Sequence, residues 1–132
     1  MKKLFVFFTL VSCLVACHKS LSDQAAQEAA DFTRKYCPTP IKDFERTDSM
    51  TFDRSTKTFI YWKTLYDKAD DKELILKNKA KLQAAMLASV NNNPGVQLYR
   101  KDNFTFRYVF HSGKNPQETL LDVSFGPKEY NK

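Results

Sequence analysis

The sequence predicts an α+β domain with the element order α-β-β-α-β-β-β, and three observations carry that expectation. Two stretches, Ala25 to Tyr36 and Ile75 to Val90, repeat apolar residues at helical spacing. The last third alternates by two, with Phe104, Phe106, Tyr108 and Phe110 on one strand face. Between the apolar runs lie turn residues: Asp53 to Thr56, Asn91 to Gly95, Lys101 to Asn103 and Ser112 to Pro116. Hairpins plus helices that must bury a face imply a mainly antiparallel sheet of four or five strands, with the long helix packed across one side.

The first helix is expected over Asp23 to Tyr36, capped by Ser20 or Ser22, with Ala25, Ala29, Phe32 and Tyr36 as its apolar face. Cys37-Pro38-Thr39-Pro40 ends it, because proline disfavours helix before it and donates no backbone hydrogen bond. A strand over Lys57 to Leu65 pairs as a hairpin with Asp48 to Phe52. Phe59, Tyr61 and Leu65 share one face, Ile60 and Trp62 the other, which suggests a central strand covered on both sides. Asp70-Asp71 opens a helix of about twenty residues with the stripe Ile75, Leu82, Met86 and Val90. Strands are then expected at Val96 to Arg100, Phe104 to Phe110 and Glu118 to Phe125, followed by a charged tail through Lys132. Cystatin-like and other small exported bacterial domains resemble this element order, a likeness that carries no activity.

The N-terminus has a different character. Lys2 and Lys3 precede the apolar run Leu4 to Val15, the layout of an export signal. As a helix that run spans roughly 18 Å, short of the ~30 Å of a bilayer core. It closes on Leu14-Val15-Ala16-Cys17, which resembles the lipobox of bacterial lipoproteins. The resemblance implies cleavage after Ala16 and a diacylglyceryl thioether on Cys17, anchoring the protein in a membrane. His18, where an Asp retains many such proteins in the inner membrane, implies the periplasmic face of the outer membrane. Residues 1–16 are then a signal peptide, 17–22 the lipidated cysteine and a tether, and 23–132 one small domain. The five tether residues after Cys17 reach about 17 Å at most, so the domain sits close to the lipid.

Removing residues 1–16 leaves 116 of the 132 residues and lowers the formal charge from +6 to +4. The basic residues form no stripe, and Lys77, Lys79 and Lys81 are their one close cluster, so nucleic acid is not an expected partner. Cys13 leaves with the signal and Cys17 is committed to lipid, leaving Cys37 as a lone thiol, expected to be buried. Asp70, Asp71 and Glu73 lack calcium-loop spacing and read as helix-capping residues; no metal or other cofactor is expected. Ser112, His111 and Asp122 could be drawn as a triad, but no Gly-x-Ser-x-Gly elbow accompanies them.

The expectation is therefore a non-enzymatic envelope module that binds or assembles with another envelope protein. An inhibitor or immunity lipoprotein against a toxin or hydrolase is a narrower version. An enzyme would require Cys37 and His111 to converge in space. Aromatic residues crowd the expected strands, and Trp62 is the candidate partner-binding residue should one sheet face lie open.

Overall fold

The computed structural model describes residues 19–132, so Cys17, the lipobox and the signal lie outside the described residues. Helix α1 (Leu21–Tyr36) leads into strands β1 (Glu45–Asp53) and β2 (Thr58–Leu65). A helical crossover follows, of α2 (Lys72–Lys77), α3 (Lys79–Asn92) and α4 (Gln97–Lys101). Strands β3 (Thr105–Ser112) and β4 (Thr119–Phe125) and the short α5 (Pro127–Tyr130) complete the chain. No described helix is long and apolar enough to cross a membrane.

The sheet is open, four-stranded and mixed, in the order β1-β2-β3-β4. The outer pairs are antiparallel hairpins, whereas β2 and β3 are parallel, with Phe59 opposite Phe106 and Tyr61 opposite Tyr108. The expectation of a mainly antiparallel sheet is thus only partly met. A crossover as long as this one returns the chain to the end of the sheet where β2 began, and that makes the next strand parallel.

Three expected elements differ. The long helix breaks at Asn78, whose side-chain amide donates to the Leu74 carbonyl at 2.8 Å and whose backbone leaves the helical region (φ −106°, ψ 13°). Val96 to Arg100 is not a strand but a 3-10 turn running into α4. Asn93 Oδ1 accepts from the Gly95 N–H at 2.9 Å to start that turn, and Tyr99 is buried while Leu98 is exposed. The tail does not trail away: α5 buries Tyr130, whose hydroxyl donates to the Phe104 carbonyl at 2.8 Å.

Every described helix sends its buried residues into one cluster on one face of the sheet. Ala25 and Ala29 of α1, Ile75, Val90, Tyr99 and Tyr130 meet Phe59, Phe106, Phe110, Val123 and Phe125 of the strands. Rings set the packing: Phe59 stacks on Phe106 at 5.9 Å, and Tyr61 on Tyr108 at 4.7 Å. Burial drives the phenols of Tyr61 and Tyr108 upward, that of Tyr108 to about 12, so both stay neutral. Tyr36, expected on the apolar face of α1, is instead exposed.

Helix α1 also closes the β1 edge. Thr33 Oγ1 donates to the Met50 carbonyl and accepts from the Met50 N–H, both at 2.8 Å. Thr39 does the same to Thr47 through its backbone N–H and its hydroxyl. At its start α1 is capped by Ser20, whose Oγ accepts from the Asp23 N–H at 3.0 Å, and Asp23 pairs with Arg54 of the β1–β2 turn.

Candidate functional site

Two surfaces stand out, one on each side of the sheet. The first is the face that no described helix covers. Strand alternation sets Ile60, Trp62 and Thr64 of β2 beside Arg107, Val109 and His111 of β3. Covering both faces of β2 was the expectation from its sequence, and among the described residues only one is covered. Val109 is nonetheless buried, at 3 % exposure, although it does not belong to the main core. Trp62 is its register partner on the neighbouring strand.

Trp62 itself is half-buried and held on two sides. Its indole N–H donates to Thr51 Oγ1 of β1 at 2.9 Å, and its ring lies nearly parallel to the His111 imidazole, 6.1 Å between centroids. Arg107 grips Asp122 of β4 through two hydrogen bonds, at 2.9 and 2.6 Å. That hydrogen bonding holds the Asp122 carboxyl below the usual range and raises the guanidinium further. The face is therefore a preformed aromatic and aliphatic centre, flanked by a fixed ion pair and hydroxyl groups.

The second surface is a cleft of about 540 Å³ on the helical side. Leu65, Phe110 and Leu121 of the sheet line it together with Ile75, Leu82 and Met86 of α2 and α3. The expected stripe of the long helix is thus divided: Ile75 and Val90 are core, Met86 is half-buried and Leu82 is exposed. The break at Asn78 is the local cause, since it turns α3 away from the line of α2. Asp43, Glu45 and Lys81 add charge to the apolar lining.

The residues that the sequence offered for a catalytic reading do not come together as a set. Cys37 caps the C-terminus of α1 beyond the edge strand, half-buried, and burial followed by the nearby Asp48 charge pushes its thiol up. His111 is occupied with Trp62 on the far face of β3, two strands from β1. Ser112 is buried on the opposite face of β3 from His111 and donates to Asp70 Oδ2 at 2.9 Å, while Asp122 serves Arg107, so the three do not form a triad. Of the acidic trio, Asp71 caps α2, as expected, by accepting from the Leu74 N–H at 3.0 Å. Asp70 does not cap; it is buried and accepts from Ser112 Oγ and the Lys114 N–H. No group of metal-binding side chains occurs among the described residues.

The fold has solved counterparts. A candidate secreted protein from Pseudomonas aeruginosa superposes with a TM-score of 0.62 at 16 % identity, over 82 % of this chain and 95 % of that one. The pilotin of the Vibrio vulnificus type 2 secretion system superposes with a TM-score of 0.60 at 6 % identity, over 81 % of this chain and 88 % of its own. At such identities the likeness is one of fold. No curated protein matches the chain. A family signature does match it from residue 20 to residue 121, well over half its length, and the chain therefore belongs to the family described as Domain of unknown function (DUF8479).

Proposed function

We propose that this is a lipid-anchored envelope protein, a non-enzymatic binding or assembly module whose open sheet face docks another envelope protein around Trp62. The observation that carries the reading is the face itself. A tryptophan held in place by Thr51 and His111 on an uncovered sheet is an interface anchor already paid for in conformational entropy. Secreted and pilotin proteins of the same fold support an envelope setting. Anchoring follows from Leu14 to Cys17, and the periplasmic face of the outer membrane from His18. Helix α1 begins at Leu21, four residues after Cys17, so the tether keeps the domain within about 14 Å of its lipid.

The test has two arms. Cys17→Ala is expected to abolish fatty-acid labelling and release the protein from membranes; labelling and retention unchanged in that variant refute the anchor. A photo-crosslinking residue placed at position 62 in living cells is expected to trap one defined envelope protein. The same residue at Leu98, exposed on α4, is expected not to. Identical adducts from both positions refute Trp62 as the docking centre.

A further inference from the structure

From the geometry of the cleft we infer that it is a self-association surface, and that its occupant is a second copy of this chain. Five of the seven large hydrophobic residues that the described chain exposes lie in the segments around it: Ile41, Phe44, Leu74, Leu76 and Leu82. That concentration of apolar surface marks a protein interface. Leu74, on the cleft wall, is itself 49 % exposed, so the rim of the cleft presents apolar side chain to solvent.

The charges decide between a second copy and an unrelated partner. Asp43, from the segment before β1, and Lys81, from α3, both line the cleft, and neither forms a salt bridge among the described residues. The third charged lining residue, Glu45, is already paired with Lys63. A two-fold axis through the cleft sets each Asp43 against the other copy's Lys81, with the exposed Leu74 of each α2 meeting the facing groove. An isologous interface needs a patch complementary to itself, and one unpaired acid with one unpaired base around an apolar centre meets that condition. The surface lies on the helical side of the sheet, so the pairing leaves the Trp62 face open. It goes beyond the docking role of that face and stands or falls separately from it.

Sedimentation equilibrium of the full chain in detergent, parent and Cys17→Ala alike, tests the inference. A dimer is expected in both. Asp43→Lys alone or Lys81→Asp alone is expected to weaken it on the order of a hundredfold, through like charges brought face to face. The double exchange Asp43→Lys with Lys81→Asp is expected to restore it. Carbodiimide crosslinking of a mixture of light and heavy isotope-labelled protein is expected to join Asp43 of one copy to Lys81 of the other. Circular dichroism of each variant identifies any that fail to fold, in which case the crosslink on the parent chain decides. A monomer at every concentration, a dimer indifferent to single reversals, or crosslinks only within one isotope overturns the inference.

Discussion

Phe106 and Trp62 sit on adjacent strands of one sheet and on opposite faces, which gives their substitution opposite consequences. Phe106 is fully buried between Phe59 and Tyr130. Phe106→Ala is expected to cost roughly 3–5 kcal/mol, through lost burial and the cavity left behind. Trp62→Ala opens no space inside the core and is expected to cost about 1 kcal/mol, near the centre of the range for point substitutions. Urea unfolding of the two variants checks this, and equal losses would place Trp62 in the core. Asp70 is the residue whose effect depends on pH. The Ser112 hydroxyl, with help from the Lys114 N–H, holds its carboxyl below the usual range against the opposing push of burial. A lowered folded-state value contributes stability above about pH 4 that is lost as pH falls through it. Asp70→Ala should therefore cost about 1–3 kcal/mol at neutral pH and progressively less in acid. A difference from the parent that stays constant between pH 7 and about pH 3 would refute that role. Cys37, half-buried with its thiol raised, is expected to react more slowly with a thiol reagent in the folded chain than in the unfolded one. Equal rates would show an accessible thiol.

At the scale of elements, the Thr33 bridge to Met50 makes a prediction of its own. Thr33→Val keeps the shape but leaves the Met50 N–H and carbonyl without partners at the β1 edge, at a cost of about 1–3 kcal/mol. Hydrogen exchange at the Met50 amide is expected to accelerate in that variant; an unchanged rate would mean that α1 shields the edge by other contacts. The same elements show what the sequence disclosed. Periodicity located α1, the β1–β2 hairpin and the Phe104 to Phe110 stripe, because a core on one side imposes its period on residues as large as Phe. It failed where a side chain, not a period, decides the backbone. Asn78 stops a helix that the stripe from Ile75 to Val90 continues through, and Asn93 turns Val96 to Tyr99 helical although Val96 and Leu98 alternate like a strand. Of the two candidate surfaces, the sequence points only toward the first, through the crowding of aromatics on the strands that singles out Trp62, whereas the cleft depends on the break at Asn78 and leaves no local pattern.

For the whole molecule, the parallel join between β2 and β3 has a kinetic consequence. Each hairpin closes a short loop, but Thr58 meets Thr105 only after the entire crossover between them has been gathered in. The entropy of closing so long a loop must be lost before the central pair returns anything for it. The two hairpins are thus expected to form as separate early units, with α1 settled on the first, and their docking to limit the folding rate. Until they dock, the inner edges of β2 and β3 lie open, together with the aromatic faces of Phe59 and Phe106. That interval is when the chain is most exposed to aggregation and to proteases.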